Sequence, residues 1–321
     1  MTFSPESPEF SNSRRSAPID PGRVRSLFAR PQRVAESAFL RREVATRMFE
    51  RLELIRLDPQ CLIDAGCGEG ADLSLLQQRY PGARLLGIDG AAAMLACARD
   101  SQVAARSALR GLLAKLVARM SRAVDASDTN AQLICADYAR MPLATGCADL
   151  IWSNLALHWH AQPDRVFAEW RRLLRVDGLL MFSCFGPDTF KEVRAVFAAI
   201  GENSSVLPFV DLHDLGDMLV AAGFADPVMD MEMITVTYAS LPELWSDLRA
   251  WGGNPLSTRR RGLIGRSAWQ RLQRELESLR RSDGQYSLTF EVLYGHAFRP
   301  EARKTEAGES IIRFEPTRKP R

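Results

Sequence analysis

Hydrophobic and polar positions along this chain fall into blocks whose period switches between 3.6 and two residues. Over residues 34–55, Phe39, Leu40, Val44, Met48, Leu52 and Ile55 recur three and four apart, the spacing of one helical face, and Pro59 closes that helix. Cys61-Leu62-Ile63-Asp64 reads as a short buried strand. A glycine-rich turn carries it into a helical stretch over 72–80, which Pro81-Gly82 breaks. A second strand over 84–89 and a second helix over 91–99 follow. The alternation continues with strands at 133–136 and 148–153, a helix at 163–174, a strand at 179–185 and a helix at 189–200. Strand–helix alternation of this kind predicts an α/β fold with a mostly parallel, doubly wound sheet. Beyond it, 211–222 reads as a helix stopped by Gly223, 233–238 as a strand and 241–281 as largely helical. Tyr286, Leu288, Phe290, Val292 and Tyr294 alternate strictly within 286–298, which predicts a late antiparallel strand.

This organisation implies one domain over 23–300 behind a disordered leader at 1–22 rich in Ser, Pro and charge, with a charged tail at 301–321. Two parts exceed a minimal fold: a helical addition at 240–282 and an insertion at 101–132. The insertion carries an apolar stripe (Leu109, Leu112, Leu113, Leu116, Val117, Met120) and, between Ser101 and Val124, five basic residues and no acid. It packs on the core as a surface helix or docks an acidic partner or a membrane surface.

Composition narrows the function classes. The 321 residues are 46% hydrophobic and 25% charged, with a net charge of +3, too small to imply a nucleic-acid partner. No apolar run approaches the roughly 20 residues of a membrane span, and the N-terminus lacks a signal-peptide core. The six cysteines stand singly, mostly in apolar stretches and without a CxxC pair, which argues against zinc and suits a reducing cytoplasm.

Candidate chemistry sits at the ends of the expected strands. In Asp64-Ala65-Gly66-Cys67-Gly68-Glu69-Gly70 the glycines alternate as GxGxG instead of the dinucleotide pattern GxGxxG, and an acid precedes them. Such a turn brings backbone close to a ligand, and Asp64 suits a cationic amino-acid end. Asp89 ends the second strand, where a carboxylate accepts both ribose hydroxyls or, alternatively, caps the next helix. Asp137, followed by Tyr138, ends the third strand, where it is placed to meet an adenine amino group. Asn154 ends the fourth, followed by His158-Trp159.

Together these motifs resemble those of class I S-adenosylmethionine-dependent methyltransferases, which are Rossmann-like. Within that class, residues 153–159 (SNLALHW), 173–178 (LLRVDG) and 182–194 (FSCFGPDTFKEVR) are similar to the biotin-synthesis malonyl-carrier-protein O-methyltransferases. Val176-Asp177-Gly178 stands where that family usually has Pro-Gly-Gly. Phe39-Leu40-Arg41-Arg42-Glu43-Val44 and Asp214-Leu215-Gly216 also resemble a mitochondrial complex I assembly factor of the same superfamily, the alternative reading; a small-molecule methyltransferase is another. The resemblance implies S-adenosylmethionine as cofactor, lined by Asp64, Gly66, Gly68, Asp89, Asp137, Tyr138 and Asn154. It implies His158 and Trp159 where cofactor meets substrate. Arg194 is expected either to grip a substrate carboxylate or thioester carbonyl or to be a solvated helix residue, on a helix started by a Thr189/Glu192 capping box. The implied partner is a malonyl-loaded acyl-carrier protein. Carriers are acidic, so Arg106, Arg110, Lys115, Arg119, Arg122 and Arg259-Arg260-Arg261 are candidate docking charges. A malonyl carboxylate is ionised at neutral pH, so no general base is expected.

Overall fold

The apolar runs pair into one sheet. In the computed structural model, which describes residues 18–117, 131–201, 206–251, 253–260, 262 and 265–301 and only the backbone of 105–117, the sheet has seven strands in the order β3-β2-β1-β4-β5-β7-β6. These are β1 (Cys61–Ala65), β2 (Arg84–Asp89), β3 (Gln132–Cys135), β4 (Ala148–Ser153), β5 (Leu174–Phe185), β6 (Ala225–Tyr238) and β7 (Tyr286–Phe298). The first five run parallel, while β7 lies antiparallel to both β5 and β6. The expected fold class therefore holds, including the late antiparallel strand.

Ten helices are described: α1 (Pro21–Phe28), α2 (Pro31–Ala35), α3 (Ala38–Glu53), α4 (Ala71–Arg79), α5 (Ala92–Val117), α6 (Pro163–Leu173), α7 (Lys191–Ala199), α8 (Leu212–Ala221), α9 (Leu241–Ala250) and α10 (Arg266–Glu277). They cover both faces of the sheet. Leu40, Val44, Met48 and Leu52 of α3 pack with Leu62, Leu150, Trp152, Met181 and Val292 on one face. Val166, Phe167 and Trp170 of α6 and Leu215 and Leu219 of α8 pack with Ile63, Ile151, Leu180 and Phe182 on the other. Central strands buried on both sides explain why β1 and β4 read as continuous apolar runs.

Four expectations change. The single helix over 34–55 is two, because Ser37 is fully buried at the break and its hydroxyl donates to the Val34 carbonyl (2.9 Å), competing with the helical ladder. The second helix does not stop near residue 99 but runs as α5 through Val117, into the expected insertion. Residues 118–130, with Arg119 and Arg122, lie outside the described residues. The last residues of the expected leader are folded. Ile19 bridges to Leu256, and Asp20 starts α1 by accepting from the N–H groups of Gly22 (2.9 Å) and Arg23 (3.2 Å).

The capping box is not formed either. The Thr189 hydroxyl donates to the Glu291 carbonyl and accepts from the Glu291 N–H, both at 3.0 Å. The Glu192 carboxylate accepts from Thr289. α7 therefore starts at Lys191, after Phe190 at φ +59°. The tertiary partner β7 takes both side chains that local geometry had assigned to the helix end.

Candidate functional site

The strand order reverses between β1 and β4, so their carboxyl ends diverge and open a crevice there. The Gly66 and Cys67 N–H groups both donate to the Ile88 carbonyl (2.7 and 3.0 Å), which folds the glycine loop across the end of β2. Gly66 has φ +85°, and a Cβ there would stand 2.3 Å from the Ala156 Cβ. Gly68, at φ +53°, donates its N–H to Asp89 (2.9 Å), whose other oxygen accepts from the Ala91 N–H (2.7 Å). Asp89 thus ties the glycine loop to the start of α5 while facing the cleft, so its capping and ligand readings are compatible.

The cleft, with about 1120 Å³ of empty space partly open to solvent, is lined by eight of the ten expected residues: Asp64, Gly66, Gly68, Asp89, Tyr138, Asn154, His158 and Trp159. Asp72, which the sequence reading did not single out, also lines it. Asp72 accepts from Trp152 Nε1 (2.9 Å) and Asn154 Nδ2 (3.0 Å), and Asn154 Oδ1 accepts from Ser183 Oγ (3.0 Å). The Tyr138 hydroxyl donates to the Ala156 carbonyl (3.0 Å). Asp64 is 2% exposed, and its Oδ2 has no partner among the described residues.

Burial raises the pKa of the Asp64, Asp72 and Asp89 carboxyls above the ordinary value, and for Asp64 the charges of Asp72 and Asp89 raise it further. Asp72 has the Arg41 guanidinium near it, whereas Asp64 keeps an unpartnered oxygen, so at Asp64 the cluster suits a cationic ligand. Its positive charge would relieve their repulsion in a low-dielectric site.

Asp137 and Arg194 do not line the cleft. Asp137 is exposed, accepts from the Ala139 N–H (2.9 Å) and lies 3.8 Å from His160 Nε2. The Arg194 guanidinium turns back on its own loop, donating to the carbonyls of Pro187 (2.6 Å) and Thr189 (3.1 Å). It shapes the Phe185–Thr189 turn where the sequence suggested a substrate contact or a solvated residue.

The cleft is roofed by α1 and α2. Val24, Phe28 and Val34 line it, and Phe28 meets Trp159 edge-on at 5.3 Å. Across this wall lies a second chamber of about 740 Å³. It is lined by Phe190, Phe197, Phe209 and Trp245, with Arg249 the one charged residue among its described lining. His158, Trp159, Phe185 and Trp251 line both chambers. His158 is 6% exposed and ringed by Trp159, Phe185 and Phe209 at 4.6–5.6 Å, and burial pushes its pKa down to about 3. The apolar chamber had no sequence signal, because α7, the 206–209 loop and α9 each contribute only one or two of its rings.

This geometry, a glycine loop at the switch point of a seven-stranded sheet with acids at the strand ends, is that of a methyltransferase. Residues 63–182 match the family model described as "Methyltransferase domain". The chain belongs to the malonyl-[acyl-carrier protein] O-methyltransferase family. It is 46% identical over 302 residues to the protein of that name from Laribacter hongkongensis, covering 92% of this chain and 96% of the relative. It is 42% identical over 297 residues to that from Gallionella capsiferriformans, again covering 92% and 96%. Among solved structures, the YcgJ protein from Bacillus subtilis shares the fold, with a TM-score of 0.54 and 13% identity over 81% of this chain and 100% of that one.

Proposed function

We propose that this protein methylates the free carboxylate of a malonyl group carried on an acyl-carrier protein, in the route to the pimeloyl precursor of biotin, and that S-adenosylmethionine is its methyl donor. The observation that carries the acceptor class is the makeup of the second chamber. Among its described lining residues there is no carboxylate, and its one imidazole, His158, is buried among aromatic rings, which lowers its basicity. A phenol, ammonium or thiol acceptor needs a base; a carboxylate arrives ionised. The names of the family relatives agree with that class.

The residues present fit the donor. Asp64, with a buried unpartnered oxygen, and Asp72 behind it suit the ammonium of its amino-acid end. Asp89 suits the ribose hydroxyls, and the missing Cβ of Gly66 lets the loop pack directly on Ala156 at the cleft. When bound, S-adenosylmethionine would supply a sulfonium methyl for an ionised oxygen acceptor, the displaced electron pair remaining on sulfur and no proton transfer being needed. The chain's own contribution is alignment and exclusion of water from the carboxylate by the aromatic wall.

The carrier protein is the proposed partner. Arg106, Arg110 and Lys115 lie on the α5 backbone, Arg259 and Arg260 lie beyond α9, and Arg261 falls outside the described residues. Among the described residues no helix is long and apolar enough to cross a membrane, and all six cysteines are free, in keeping with a reducing cytoplasm. Mass spectrometry of malonyl- and acetyl-loaded carrier protein, each incubated with enzyme and cofactor, tests this reading. One added methyl on the malonyl form alone is expected. An unchanged malonyl form, or a methylated acetyl form, overturns it.

A further inference from the structure

Two neutral hydrogen-bond donors without partners are buried in the wall common to both chambers. The Phe185 N–H donates to His158 Nδ1 (3.4 Å), so Nδ1 is an acceptor and the proton of the neutral ring sits on Nε2. His158 Nε2 has no partner among the described residues. The same holds for the indole Nε1 of Trp251, a residue 6% exposed. The two rings flank Phe185, with centroids 4.6 and 5.6 Å from it. A buried donor left unpaired costs free energy, and in a ligand site it marks where a ligand acceptor belongs.

Of the cations near this wall, two are engaged elsewhere. The Arg41 guanidinium, 5.9 Å over the Trp251 ring, donates to Ser37 Oγ (2.9 Å) and the Val34 carbonyl (2.7 Å). Arg194 grips its own loop. Arg249 lines the second chamber, but the residues shared by both chambers carry no cation and offer neutral donors, which orient a carboxylate without quenching its charge. A guanidinium would hold the ground state more tightly and blunt the nucleophile.

Resting on the acceptor class argued above, we propose that His158 Nε2–H and Trp251 Nε1–H jointly hold the carboxylate of the acceptor at the wall between the chambers, aligning it for attack. Among the described residues no charged side chain is packed against the His158 ring: its ring neighbours are Trp159, Phe185 and Phe209, and burial lowers its pKa.

The tests separate this inference from the reading it rests on. Wild-type turnover of malonyl-carrier protein tests the reading. With turnover present, Trp251→Phe and His158→Leu should each lower kcat/KM about tenfold or more with unchanged affinity for S-adenosylhomocysteine, while the melting temperature should hold in Trp251→Phe and fall in His158→Leu, which strands the Phe185 N–H. His158→Gln, which keeps an N–H donor, should recover part of the loss. Nitrogen NMR of the histidine ring, independent of turnover, should show the Nε2–H tautomer without titration from pH 5 to 8. Its resonance should move when a short malonyl thioester is added with S-adenosylhomocysteine. An Nδ1–H tautomer, protonation near pH 6.5, or wild-type kcat/KM in both Trp251→Phe and His158→Leu would overturn the proposal.

Discussion

The two chambers on either side of His158 are built by opposite means. The first combines a local polar loop with an apolar roof. Its glycine loop, Asp64 and Asp89 come from β1, β2 and the turns just after them, and backbone hydrogen bonds fix their geometry. The second is aromatic and dispersed, assembled from α7, the 206–209 loop and α9. The difference teaches that the polar contacts of the donor site come from short strand–turn segments, whereas the second chamber is assembled from elements far apart in the chain.

The sharpest way to break this division is Gly66→Ala. The added Cβ meets the Ala156 Cβ at 2.3 Å on a backbone held at φ +85°. Overpacking of this kind strains the loop by about 1–3 kcal/mol, so the melting temperature should fall and, as the loop shifts away from Ala156, affinity for S-adenosylhomocysteine should fall about tenfold or more. Thermal melts and calorimetry on the folded variant decide it, and wild-type values of both would mean that Ala156 yields without moving the loop.

Trp245→Ala probes the other side. Trp245 packs edge-on against Phe197 at 6.4 Å in the second chamber. Its loss should raise the KM for acceptor about tenfold through lost aromatic contact and leave cofactor affinity untouched. A matching loss of cofactor affinity would show that the chambers are not separable.

The smallest effect is on stability. Asp64, Asp72 and Asp89 have pKa values raised above 3.8 in the folded chain, so the folded state binds more protons than the unfolded one. Their contribution is therefore present below 3.8 and lost as pH rises through the raised values. Without ligand, each group shifts stability by at most about 1.4 kcal/mol per pH unit in that window. Thermal melts should show Asp64→Asn gaining most over wild type at the upper end of this window, and the gain shrinking when S-adenosylhomocysteine is bound. A gain that grows toward low pH contradicts the sign.

Much of the first chamber was legible in the chain. The β1 and β2 ends, the GxGxG turn, Asp64, Asp89 and Asn154 announce themselves because an apolar run ending in glycine and acid leaves little conformational choice. Asp137 shows the limit. It occupies the same strand-end position, yet its carboxylate closes a turn onto the Ala139 N–H and points elsewhere than the cleft. Asp72 was hidden for the converse reason, since a first-turn acid on a helix has an ordinary local use and its pairing with Trp152 and Asn154 is long-range.

The sequence by itself determined the strand and helix succession, the parallel class of the sheet and the glycine–acid turns, since periodicity and turn chemistry act over a few residues. Tertiary structure alone decided what lies far apart in the chain. The 18–28 segment becomes a roof because Ile19 and Phe28 find Leu256 and Trp159. Thr189 and Glu192 leave the helix start for β7 because the strand presents backbone partners to both. His158 and Trp251 become buried donors without partners because the rings around them come from distant elements, and burial is a property of the finished packing.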